Sequence, residues 1–188
     1  MQESSWRKIV LIGYRGTGKT TVARLLAEAL GWAWVDTDQQ IQQQAGQTIA
    51  QLFQQQGEAG FRQWEHRVLR QVLEEPRSQV VAAGGGVVVL PENRQLLQAP
   101  QYLVVWLQAP PEVIAARLEA DPDSAHSRPS LTGKSITEEV EQVLRGRQAW
   151  YASCSRISIP TQEKTPEEVA GEILRHLDLP PRSESTRR

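Results

Sequence analysis

Short apolar runs alternate along this chain with segments of helical period. Residues 9–12 (IVLI), 32–35, 80–83, 103–107 and, more weakly, 157–159 read as buried strands. Helical spacing occupies residues 20–30, 39–56, 58–74, 91–97, 111–120, 136–152 and 166–176. Pro91, Pro111 and Pro166 open three of these segments, where a missing N–H costs no helical hydrogen bond. Continuously apolar strands alternating with helices predict a parallel sheet covered on both faces. The predicted fold is one doubly wound α/β domain over residues 1–178.

Two segments depart from this rhythm. Residues 39–56 are rich in Gln, yet Ile41, Ala45, Ile49, Leu52 and Phe53 recur at helical spacing. They predict an amphipathic helical region with a polar face and a break at Gly46. Residues 121–134 (DPDSAHSRPSLTGK) have no apolar period and contain Pro122, Pro129 and Gly133. A connection of that length in a compact domain is expected to be a lid or an insertion. Residues 179–188 are expected to form a solvated, disordered tail.

Composition narrows the function classes. With 21 basic and 22 acidic residues the formal charge is −1, which argues against nucleic-acid binding by bulk charge. The single cysteine, Cys154, permits no internal disulfide and fits a reducing compartment. Three His and one Cys without close pairing do not suggest zinc. No apolar run approaches the roughly 20 residues that a bilayer requires. The polar start, MQESS, does not read as a secretory leader. A soluble, cytoplasmic, monomeric protein is the expectation, with neither a membrane nor a nucleic acid as partner.

The strongest chemical signal is Gly13-Tyr14-Arg15-Gly16-Thr17-Gly18-Lys19-Thr20. It satisfies G-x-x-x-x-G-K-[ST] directly after a strand and opens a helix, the setting in which that loop cradles phosphate. Glycines allow the backbone N–H groups to approach phosphate oxygens, and the helix N-terminus adds partial positive charge. Lys19 is expected to reach the β/γ-phosphates from the protein surface, and the Thr20 hydroxyl to ligate Mg²⁺. A GTPase would add a base-reading N-K-x-D, which is absent from the chain. A small domain with an arginine in its lid candidate reads as an ATP-dependent kinase of small molecules.

Further residues extend the pattern. The second strand ends Trp34-Val35-Asp36-Thr37-Asp38, and Phe61-Arg62-Gln63-Trp64-Glu65 lies on a later helix. Gly84-Gly85-Gly86 follows the third strand, Arg128-Pro129 sits in the lid candidate, and Arg147 precedes Tyr151 by one helical turn. In this order, and with the phosphate loop, the set resembles the shikimate kinase family over residues 7–177.

That resemblance implies a nucleoside monophosphate kinase-like fold with a five-stranded parallel sheet in the order 2-3-1-4-5. It implies shikimate and ATP as substrates and Mg²⁺ as cofactor, giving shikimate 3-phosphate and ADP in aromatic amino-acid biosynthesis. Gly16, Thr17, Gly18, Lys19, Thr20 and Thr21 would hold the nucleotide, with Thr20 and Asp36 on the metal. Asp38 would hydrogen-bond the accepting hydroxyl. Arg62 and Arg147 would hold the shikimate carboxylate, with Glu65 orienting Arg62. Gly85 would touch the substrate, and Phe53 and Phe61 would pack on its ring. Arg128 would fold over the ATP phosphates, and Lys164 aligns with an adenine-contacting position. Ala82-Ala83 departs from the Ala-Thr frequent in the family, which concerns only a minor hydroxyl contact.

Read without the resemblance, several of these residues stay open. Asp36 and Asp38 share a face if the chain is still extended there, but Asp38 equally suits the N-cap of the Gln-rich helix. Arg62 and Glu65 suit a surface ion pair. Arg147 and Arg128 suit solvated positions, Gly84 to Gly86 a plain turn, and Phe53 and Phe61 a plain core. Most of the six Trp residues fall at core-like positions.

Overall fold

The fold is read from a computed structural model that describes residues 6–121 and 135–177. Arg128, most of the lid candidate and the expected tail therefore lie outside the described residues. Five strands alternate with helices: β1 (Lys8–Ile12), α1 (Lys19–Leu30), β2 (Ala33–Asp36), α2 (Thr37–Ala45), α3 (Ile49–Glu74), β3 (Gln79–Ala82). There follow α4 (Pro91–Leu97), β4 (Tyr102–Gln108), α5 (Pro111–Ala120), α6 (Ile136–Cys154), β5 (Ile157–Pro160) and α7 (Pro166–Arg175). The strands form one parallel sheet in the order β2-β3-β1-β4-β5, as the resemblance implies. Every strand lies within one residue of its predicted ends.

The sheet is covered on both faces. All five residues of β1 are buried, with Val10 paired between Val81 of β3 and Val104 of β4. Ile9 and Leu11 point to one layer with Trp6, Leu26 of α1 and Ile173 of α7. Val10 and Ile12 point to the other with Leu69 and Leu73 of α3, Val87, and Tyr151 of α6. Two-sided burial explains why the strands read as continuous apolar runs. The two edge strands, β2 and β5, are the exceptions: Trp34 of β2 is 37% exposed, and only Ile159 of β5 is buried.

Helix boundaries follow local chemistry. Thr48, Ser135 and Thr165 each close a capping box, with Gln51, Glu138 and Glu168 respectively. Gly46 ends α2 where a break was expected. A second break interrupts α3 at Gly57, whose φ of 66° and ψ of −174° no other residue adopts readily. Two expectations need correction. Asp36, not Asp38, is the N-cap of α2, and the chain is already helical from Thr37, so the two aspartates do not share an extended face. Among the six Trp residues only Trp6 and Trp106 are buried; Trp34 and Trp150 are exposed and Trp32 and Trp64 intermediate.

Lys8 heads β1 with a wholly buried side chain. Its Nζ donates to the carbonyls of Glu75 (2.9 Å) and Arg77 (2.6 Å) and to Gln79 Oε1 (3.2 Å), tying the end of α3 to the sheet. Burial pushes this ammonium down to about 8 from 10.5. Between those values the unfolded chain binds more protons than the folded one, so raising the pH favours folding. Urea midpoints of the unaltered protein should therefore rise relative to Lys8→Met from pH 8 to 10.5. Parallel pH profiles would show that Lys8 titrates as an ordinary lysine.

Candidate active site

The loop from β1 to α1 wraps over the carboxyl end of the sheet, where open α/β folds bind ligands. Gly13 passes so close to β4 that a Cβ there would lie 2.4 Å from the Leu107 carbonyl, at a φ of 139°. Gly18 is the N-cap of α1 and supplies no side-chain cap, so the first-turn N–H groups face the cleft. Gly16, Gly18, Lys19, Thr20 and Thr21 line this cleft of about 480 Å³ with Asp36, Asp38, Gly84 and Gly85. Thr17 turns under the loop, where its hydroxyl donates to the Tyr14 carbonyl at 2.8 Å.

Lys19 departs from its expected surface position. It is only 9% exposed, and its Nζ donates to the carbonyls of Gly13 (2.9 Å) and Tyr14 (2.8 Å). The ammonium thus props the loop that it serves. Across the cleft, Asp36 splits its carboxylate between two tasks. Oδ1 accepts from the backbone N–H of Asp38 and Gln39, capping α2, while Oδ2 accepts from the Thr20 hydroxyl at 2.8 Å.

The second half of the site gathers around Gly84, Gly85 and Gly86, just past β3. The Gly84 N–H donates to the buried Thr37 hydroxyl at 2.9 Å, and a Cβ on Gly84 would lie 2.5 Å from Asp38 Oδ1. The Gly85 carbonyl accepts from Arg147 Nη1 (3.1 Å) and from the Tyr151 hydroxyl (2.5 Å). A Cβ on Gly86 would fall 1.9 Å from Arg62 Nη1. Charged side chains fill the space that Cβ atoms would take at Gly84 and Gly86, and a Cβ on Gly85 would crowd the Arg15 backbone nitrogen at 3.1 Å. Burial holds the Tyr151 phenol up at about 12, against the lowering effect of Arg147, so it is a neutral donor.

Arg62 is not part of a surface ion pair. It is 6% exposed, and its Nη1 donates to the wholly buried Glu65 at 2.7 Å while Nη2 donates to Glu58 at 2.9 Å. Burial works against the charge, but Glu65 and then Glu58 outweigh it and raise the pKa above the ordinary arginine value. Asp38, Arg62, Gly85 and Arg147 therefore meet at one turn.

Of the remaining predicted residues, Phe61 lies beside Arg62, its ring centroid 5.4 Å from the guanidinium carbon. Phe61 is fully buried in a cluster with Ile41 and Leu52, and Phe53 stacks on it with ring centroids 4.6 Å apart. Lys164 pairs with Glu172 at 2.5 Å, away from the cleft lining. Cys154 is a buried thiol.

Sequence reasoning missed Glu58, Thr37 and Arg117. Glu58 precedes Arg62 by one helical turn, a spacing that could have flagged it. Arg117 donates to the Gly16 carbonyl (3.3 Å) and to Thr161, fixing the loop from α5. No local signal marks that contact, which joins residues far apart in sequence.

Comparison with known proteins meets this geometry. A family profile described as shikimate kinase matches residues 15–178. A shikimate kinase 2 from Dickeya chrysanthemi is 44% identical over 172 residues, covering 92% of this chain and 96% of its own length. The structure of a shikimate kinase from Acinetobacter baumannii in complex with shikimate superposes with a TM-score of 0.84 at 32% identity, covering 92% of this chain and 93% of that one. A gluconokinase from Sinorhizobium meliloti superposes with a TM-score of 0.55 at 16% identity, covering 93% of each chain, and shares the fold. By profile and by close relatives along nearly its whole length, the chain belongs to the shikimate kinase family.

Proposed function

We propose that this protein transfers the γ-phosphoryl group of ATP to the 3-hydroxyl of shikimate, giving ADP and shikimate 3-phosphate in aromatic amino-acid biosynthesis. The observation that carries this reading is the meeting of Asp38, Arg62 and Arg147 at one glycine turn beside the phosphate loop. The relative from Acinetobacter baumannii, whose structure contains shikimate, supports the choice of acceptor.

In this reading Lys19 leaves the Gly13 and Tyr14 carbonyls for the β/γ-phosphates, while the first-turn amides of α1 hold the remaining oxygens. Arg62 and Arg147 grip the acceptor carboxylate, Gly85 contacts the ring, and Asp38 accepts a hydrogen bond from the reacting hydroxyl. Phosphoryl transfer has a loose transition state, so positioning by these groups matters more than proton removal by Asp38. Phe53 and Phe61 brace α3 behind Arg62. Thr20 and Asp36 are the residues that would hold Mg²⁺: two hard oxygen donors 2.8 Å apart at the cleft wall suit that ion. Bound there, it would neutralise phosphate charge.

Three outcomes test the assignment. Lys19→Ala should lower kcat roughly 10²–10³-fold, the usual cost of one preorganised charged donor. It should also shift unfolding by about 1 kcal/mol, because two loop carbonyls lose their donor. Near-normal turnover would remove the phosphate-loop role. Arg62→Lys keeps the charge but not the planar fork, so shikimate KM should rise about 10–100-fold, with ATP KM within about twofold. Equal effects on both substrates would reduce Arg62 to a structural ion pair. In Asp36→Asn the new amide caps α2 almost as well, so folding should persist while the Mg²⁺ concentration for half-maximal rate rises. An unchanged Mg²⁺ requirement would exclude Asp36 from the metal.

A further inference from the structure

Arg62 is held by two carboxylates of opposite character. Glu65 accepts from Nη1 at 2.7 Å and its side chain is fully buried. Glu58 is 56% exposed, and its single oxygen Oε1 accepts both from Nη2 (2.9 Å) and from Nε (3.3 Å). Nε and Nη2 form an edge of the guanidinium that can grip a carboxylate by two parallel bonds. Here both donors converge on one oxygen, a weaker use of that fork. Glu58 also begins the helical segment just after the break at Gly57.

We propose that Glu58 is a displaceable internal carboxylate, holding the Nε/Nη2 edge of Arg62 in the empty protein and yielding it to the carboxylate of the acceptor. This rests on the reading of the protein as a kinase of shikimate, a carboxylate-bearing acceptor. A buried guanidinium cannot stand unpaired without a large desolvation cost, so something must occupy that edge before substrate arrives. Glu65 cannot leave, because its own charge would remain buried. Glu58 can, because its carboxylate returns to water and exposed pairs contribute little. One carboxylate enters as another withdraws, and Arg62 stays paired throughout. A neutral acceptor gives Glu58 no reason to withdraw, so the exchange selects acceptors that carry an anion. Glu58 is thus a positioning residue that sets acceptor affinity through Arg62.

The test is Glu58→Gln, with Glu58→Ala guarding against an amide that still accepts from Arg62. Removing the internal competitor should lower shikimate KM roughly two- to five-fold in both variants, with ATP KM moving less. A fixed brace predicts the reverse, so a shikimate KM that rises or stays constant in both overturns the proposal. Calorimetric titration with sodium benzoate, a cyclic carboxylate without the reacting hydroxyl, reads the same exchange without turnover. Tighter benzoate binding in the variants supports displacement, and no gain overturns it. Failure of the unaltered protein to turn over shikimate would defeat the functional reading alone, leaving the benzoate titration to decide the exchange.

Discussion

Side chains from α2 and α3 reach one point above the carboxyl end of β3 only because Gly84 and Gly86 leave the space empty, while Gly85 lets the turn lie against the backbone of the loop after β1. A Cβ at Gly84 would collide with Asp38, and one at Gly86 with the guanidinium of Arg62. Such crowding cannot relax cheaply, because Arg62 is pinned by Glu65 and the interior around it is packed. The turn is held in place in its own right. Thr37 accepts from the Gly84 N–H, and Tyr151 and Arg147 donate to the Gly85 carbonyl. Backbone groups that would otherwise be orphaned thereby serve as joints between the sheet and two helices, α2 and α6.

Within this frame the cations of the site and Thr20 already have internal partners. Lys19 rests on two loop carbonyls, Thr20 on Asp36, Arg62 on Glu58 and Glu65, and Arg147 on the Gly85 carbonyl. Buried or half-buried charges are costly alone, so the empty protein satisfies them from within. Ligand binding on the proposed reading is then an exchange of partners, in which net affinity depends on which internal contact is weakest. Asp36 illustrates the economy: one oxygen is committed to capping α2 and only the other faces the cleft.

The extent to which these features were legible in the sequence follows how far apart their residues lie. Strand ends came within a residue because two-sided burial leaves continuous apolar runs, and proline at the first helical position marked α4, α5 and α7. The phosphate loop is contiguous, so its glycines, Lys19 and Thr20 could be read directly. The cap of α2 stayed open in the sequence because Asp36 and Asp38 are both good cap residues, and only the backbone at Thr37 decides between them. Burial of Lys8 and Lys19 was illegible for a related reason. Each ammonium donates to two backbone carbonyls, which leave no trace in side-chain identity. The exposed Trp34 and Trp150 show the converse error, reading hydrophobicity as burial on an edge strand and an outer helix face.

The same distinction separates what the fold shares from what it leaves to the individual chain. A gluconokinase reproduces this architecture at 16% identity, so sheet order cannot by itself choose the acceptor. The proposed nucleotide half is contiguous in sequence over residues 13–20, although Arg117 of α5 and Asp36 also hold it. The proposed acceptor half instead draws on positions 38, 62, 85 and 147, from α2, α3, the glycine turn and α6. Its geometry depends on long-range packing, with Leu69 and Leu73 of α3 and Tyr151 of α6 buried against the same face of the sheet. A change in helix packing can therefore move Arg62 relative to Arg147 while the phosphate loop stays fixed. On the proposed reading such a shift would be felt first at Glu58 and Glu65, which fix the guanidinium.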